Sequence, residues 1–143
     1  MKKLHESQSY ELWAPVLGRV LIASLFIIAG LGKLMDFAGT VAFATAFNVP
    51  FPEVAIVIAI IIELGGGLLL LFGFWSRLVA FKIGLFLLVV TLFFHTDFAD
   101  QAQMMQFLKN MAIIGGLLYV SVHGARKAAL KKCDLPHNVH EAH

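Results

Sequence analysis

Four long apolar runs, residues 12–34, 54–75, 78–94 and 104–122, limit what this chain can become. Each approaches the roughly 20 residues that a helix needs to cross a hydrocarbon core about 30 Å thick. Packing all four inside a water-soluble fold fails on size. Of the 143 residues, 59% are hydrophobic and only 14% charged. Soluble domains run near 45–50% and about 25%, and a chain this short cannot hide so much apolar surface. The runs are continuous rather than alternating, which excludes membrane barrel strands and leaves helices as the structure that satisfies its backbone within lipid. The expected fold class is an all-α membrane protein, a four-transmembrane-helix antiparallel bundle, with the lipid bilayer as its first partner.

The basic residues suggest an orientation. Lys2 and Lys3 precede the first run, Arg77 lies in the short link after the second, and Arg126, Lys127, Lys131 and Lys132 follow the fourth. The two remaining links, 35–52 and 95–103, contain no Lys or Arg. An even number of spans puts both tails on one side, and this asymmetry marks that side as cytoplasmic. The expected division is a cytoplasmic N-terminal tail over 1–11, a membrane domain over 12–124 and a basic cytoplasmic C-terminal tail over 125–143. The first run exceeds the h-region of a signal peptide and contains Arg19 and Lys33. The cleavage-like triplet at 42–44 lies too far beyond it, so this run is expected to be retained as a span. The net charge of +2 forms no basic stripe of the kind nucleic acid requires, and a single cysteine, Cys133, excludes an internal disulfide or a Cys-x-x-Cys pair.

Between the first two spans, "DFAGTVAFATAFN" (36–48) sets Phe37, Val41, Ala44 and Phe47 on one face. It reads as a short interfacial helix with Asp36 as its N-cap, ended by the Asn-Val-Pro-Phe-Pro stretch at 48–52. Within the spans, the ionisable residues recur with glycines at alternating spacings of three and four. The stripes are Arg19, Ala23, Phe26, Gly30, Lys33; then Ala59, Glu63, Gly66, Leu70, Gly73; then Arg77, Phe81, Gly84, Leu88, Thr91, His95; and last Met105, Lys109, Ala112, Gly116, Tyr119, His123. Such spacing marks the seam of a left-handed bundle. Lys82 lies off its stripe and is expected to snorkel to the surface. Lipid supplies no hydrophobic drive between helices, so Gly30, Gly66, Gly73, Gly84 and Gly116 are expected to permit close packing.

Glu63 is the acid that this pattern must explain. It stands about ten residues into its span, near the bilayer midplane at about 1.5 Å of rise per residue. A lone charge at that depth costs about 2.5–3.5 kcal/mol on insertion scales and should face inward to a partner. Lys33 and Lys109 from the outer side and Arg19 from the inner side are the expected counter-ions, with His95 at the outer rim. Arg19, Lys33, Glu63, His95 and Lys109 together form the candidate polar cluster or ligand site. A fixed ion pair that orients the bundle and a proton- or ligand-handling group are both open readings of Glu63.

The segments "GRVLIASLFIIAGLGKL", "ELGGGLLLLFGFWSR" and "FLKNMAIIGGLL", with His95 at the end of the third span, resemble the DoxX family of small bacterial membrane proteins over about 17–124. The resemblance implies a four-helix fold in the bacterial inner membrane. It also implies a connection to quinone-linked redox or respiratory systems, in which the chain is an accessory subunit beside a redox-enzyme partner. A quinone is the ligand it implies, with donors from Lys33, His95 and Lys109 and apolar walls from Phe26 and other aromatics. Any flavin, haem or iron would then belong to the partner, and no catalytic residue is assigned.

Two other classes stand beside this one. A small proton-coupled transporter would use Glu63 as its carboxylate, and the surrounding cations would favour an anionic or neutral solute; four spans would then need a homo-oligomer to enclose a path. A non-catalytic assembly or scaffold protein would need only the seams. The tail "CDLPHNVHEAH" offers Cys133, His137, His140 and His143 but no scaffold to hold them, so no metal site is assigned.

Overall fold

The computed structural model describes residues 2–124, and side chains from residue 13 onward. The described residues form helices and connecting turns without strands. Helix α1 runs Lys2–Met35 and α2 Phe37–Ala46; α3 (Pro52–Ile60), a π-helical turn (Ile61–Gly65) and α4 (Gly66–Phe72) follow as one continuous rod; α5 is Ser76–Phe94 and α6 Gln101–His123. Four helical stretches are long and apolar enough to cross a membrane: Trp13–Met35, Pro52–Phe72, Ser76–Phe94 and Gln101–His123. These fall on the four apolar runs of the sequence, and α2 occupies the link read as a short helix. The cysteine and histidines of the C-terminal tail lie outside the described residues. The backbone of the segment expected as an N-terminal tail continues α1 through Pro15, which can stand in a helix only by removing one backbone donor.

Polar residues set the ends of these elements. Asp36 accepts a hydrogen bond from the Gly39 amide at 3.1 Å and caps α2. Asp100 accepts one from Ala102 at 2.9 Å and caps α6. Gly73 closes α4 at φ 79°, the left-handed conformation that glycine adopts without a Cβ penalty. Gly73 thus serves as a turn residue.

Helix α1 lies along the rod from α3 to α4, and α5 lies along α6, while α4 joins the two pairs by packing on α5. The main core contains Ala23, Phe26, Leu70, Val79, Ala80, Ile83, Leu87 and Leu117. A second core forms where α2 folds onto α3, around Ala44, Ile56 and Ile60, with Phe37, Val41 and Leu64 against it. Rings link α2 to the end of α5, with Phe94 stacked on Phe43 at 5.6 Å and edge-on to Phe47 at 5.1 Å. The large apolar side chains left outside, among them Leu21, Ile28, Ile61, Phe72 and Val122, face outward as lipid-facing residues should.

Candidate functional site

The site begins with a close approach of two backbones. A methyl group added at Gly30 would lie 2.7 Å from Leu64 Cγ, and one at Gly67 would lie 2.9 Å from Ile27 Cγ1 and 3.2 Å from the Ala23 carbonyl oxygen. Only glycine lets α1 and the second rod come this near. The contact also fixes their register and brings the last turn of α1 level with the π-helical turn. Lys33 therefore lies beside Glu63 rather than a level above it.

The Lys33 ammonium donates to both carboxylate oxygens of Glu63, at 3.0 Å to Oε1 and 2.8 Å to Oε2. The two side chains differ in burial: that of Glu63 is 8% exposed and that of Lys33 28%. Among the described residues this is the one ion pair. The π-helical turn inserts an extra residue into the rod at this point, and such turns occur often at functional sites. Alanine-like packing could not reproduce this geometry, because a buried carboxylate needs a partner that meets both its oxygens.

The remaining members of the expected cluster lie elsewhere. His95 caps α5, and its Nδ1 donates to Oε1 of Gln103 at 2.7 Å, tying the two ends of the 95–103 link together. Lys109 is exposed on the outer face of α6 and makes no ion pair among the described residues. Arg19 lines a recess between α1 and α6 at the end of the bundle where α6 finishes, and its Nε is buried without a hydrogen-bond partner. The five residues thus fall into separate places, with Lys33 and Glu63 alone brought together as an ion pair.

The misplaced Lys109 follows from the seam of α6. Its buried positions are Asn110 and Leu117, one residue on from the expected Lys109 and Gly116. One residue turns a helix by about 100°, which carries Met105, Lys109, Ala112 and Tyr119 to the outside. On α5 the stripe holds at Gly84 and Thr91, while Arg77 and Phe81 are exposed and Ala80, Ile83 and Leu87 are buried. Of the remaining expected packing glycines, Gly66 and Gly116 are close to Ile83 and Ile22, and Gly84 lies in ordinary contact distance of Leu117.

Asn110 is the polar residue that the stripe missed. Its Nδ2 donates to Thr91 Oγ1 at 2.9 Å, Thr91 donates to the Leu87 carbonyl at 2.6 Å, and Gln106 donates to Asn110 Oδ1 at 3.2 Å. The relay joins α5 to α6 within the bundle. The available signal was an amide four residues after the polar Gln106 and three before the apolar Ile113, on the face that Leu117 continues.

Known proteins share this chain's pattern. The DoxX family model matches residues 14–96. The chain is 38% identical over 109 residues to Inner membrane protein YqjF of Escherichia coli (strain K12), covering 76% of this chain and 82% of that protein. It is 29% identical over 122 residues to Inner membrane protein YphA of the same strain, covering 82% and 87%. No solved structure matches. Four apolar helices of spanning length and these relatives make it a multi-pass inner membrane protein. The match of the family model over most of the chain, on the spans that carry Arg19, Lys33, Glu63 and His95, places it in the DoxX family.

Proposed function

We infer that the chain is an accessory subunit of a quinone-linked redox or respiratory system, oriented with both termini in the cytoplasm. The observation that carries this reading is the Lys33–Glu63 pair within a membrane span. Ionisable groups at such positions are expensive to keep and mark proton relays or ligand paths. The residues fit a quinone headgroup. The Lys33 ammonium has three N–H donors, of which Glu63 engages two. The third serves a carbonyl oxygen, and the partial exposure of Lys33 leaves it accessible.

In this reading a quinone supplies the redox chemistry and the protein supplies its binding and the handling of protons. Glu63 accepts a proton released when a quinol is oxidised, and Lys33 holds the carboxylate in place before and after. The electrons pass to a redox-active group of the partner subunit. The test is to extract and identify small molecules from the purified full-length protein, then to follow its thermal unfolding with added quinone analogues. Co-purifying quinone and an upward shift in Tm, reduced in Glu63→Gln, are expected. No quinone in the extract and no shift in the parent would remove this reading. Proton flux in liposomes that falls in Glu63→Gln, without any quinone effect, would assign the pair to a transporter instead.

A further inference from the structure

At the end of the bundle away from α2, helices α1 and α6 diverge around a recess of about 580 Å³. Ala14, Pro15, Gly18, Arg19 and Ile22 line it from α1, and Gly116, Tyr119, Val120 and His123 from α6. Two features of the sequence hold it open. Pro15 puts a ring where a backbone donor would be, and Gly18 has nothing within 4 Å of the place where a side chain would begin. The walls are apolar, and the charged group among them is the guanidinium of Arg19.

Among the described residues, Arg19 has no acidic partner. Its Nε is buried and has no hydrogen-bond partner. Of the acids with described side chains, Asp36, Asp97 and Asp100 lie in or beside the links at the opposite end, Glu53 begins α3 there, and Glu63 is engaged by Lys33. One further cation is nearby: a methyl added at Gly124 would lie 3.1 Å from Nε of Arg77. His123 donates its Nδ1–H to the Tyr119 carbonyl at 2.9 Å, and its ring stacks on Tyr119 with centroids 4.1 Å apart, forming one wall of the recess.

We propose that this recess binds an anionic phosphoryl group, with Arg19 as its counter-ion and the apolar floor occupied by an acyl chain of the phospholipid that carries it. A guanidinium suits phosphate because its fork of planar donors meets two oxygens at once. A neutral ring would leave the charge of Arg19 unpaired, so the recess calls for an anion. The apolar side chains that line the recess beside Arg19, among them Pro15, Ile22 and Val120, favour a lipid over a free ion.

The test uses the full-length protein, delipidated in a neutral detergent, with binding read by native mass spectrometry and by thermal shift. The probes are phosphatidylglycerol, phosphatidylcholine and inorganic phosphate. Phosphatidylglycerol is expected to bind and to raise Tm more than phosphatidylcholine does. Arg19→Gln should weaken that binding about tenfold or more, the loss of a charge-assisted hydrogen bond. Gly18→Leu, which fills the recess where no neighbour obstructs it, should do the same while leaving helicity and elution volume unchanged. Lys82→Gln, which removes an exposed cation outside the recess, should bind as the parent does. Protection by inorganic phosphate alone, lost in the same two variants, supports the anion site and assigns it to a free phosphate. Equal binding of the anionic lipid by parent, Arg19→Gln and Gly18→Leu, or an equal loss in Lys82→Gln, would overturn the proposal.

Discussion

Lys33 and Glu63 stabilise each other only as a pair, and this makes their contribution measurable. Removing one partner leaves a charge with its hydration lost and nothing to replace it. Glu63→Leu should therefore destabilise the protein by about 2–3 kcal/mol, less than a fully buried pair would because Lys33 is partly exposed. Lys33→Leu should cost a similar amount. The double substitution should lose less than the sum of the two, and unfolding in a denaturing-detergent titration reads the difference as a coupling energy. Additive losses would mean that the pair contributes nothing as a pair. The Thr91–Asn110 bond is a neutral counterpart: interhelical hydrogen bonds in membranes average about 0.6 kcal/mol, with a maximum near 1.7. Asn110→Leu should fall in that range in the same titration, well below the effect of Glu63→Leu. The sequence made Glu63 legible, because an acid inside an apolar span demands a partner. It could not say which cation, since Arg19, Lys33 and Lys109 all recur at seam spacing and only the close approach at Gly30 and Gly67 selects Lys33.

Helix packing explains why some seams could be read and others could not. On α1 the stripe from Arg19 to Lys33 coincides with the buried residues Ala23, Phe26 and Gly30, because large apolar residues and glycines mark the same face. On α6 the landmarks conflict. Lys109 and Gly116 suggest one face, yet Asn110 and Leu117 are buried, and the helix turns to satisfy the amide rather than the ammonium. A lysine near a membrane surface has the alternative of extending its long stem to water, whereas an asparagine has not. Lys109→Ala should accordingly change stability by no more than about 0.5 kcal/mol. Glycines separate in the same way. At Gly67 a methyl group would meet the Ala23 carbonyl and the Ile27 backbone, neither of which can turn aside, so Gly67→Ala should cost about 1–3 kcal/mol. At Gly115 a methyl group has nothing within 4 Å. Gly115→Ala should be neutral or stabilise by up to about 1 kcal/mol, the gain in helix propensity. A protein that tolerates both alanines equally would contradict the register of α1 on the second rod.

At the scale of the whole molecule, the number of spans and the short α2 were legible because length and apolar continuity dictate them. The neighbour relations were not, since nothing local says that α1 pairs with the second rod and α5 with α6. The orientation across the membrane rests on charge alone. Arg19, Arg77 and Lys82 lie towards the end where the α4–α5 turn and the close of α6 are found, while the links at the other end contain acids and no Lys or Arg. The positive-inside bias counts basic residues in short links and in the flanks of spans, and it is the ground on which we propose that the first of these ends is cytoplasmic. The chain's single cysteine makes the direct test simple. Cys133 follows α6, and so should react with a membrane-impermeant maleimide in inside-out vesicles and not in intact spheroplasts. In a Cys133→Ser background, Thr96→Cys, in the link between α5 and α6, should show the opposite pattern. Labelling of Cys133 from outside would invert the molecule. It would also move the Lys33–Glu63 pair to the cytoplasmic half and the Arg19 recess to the outer leaflet.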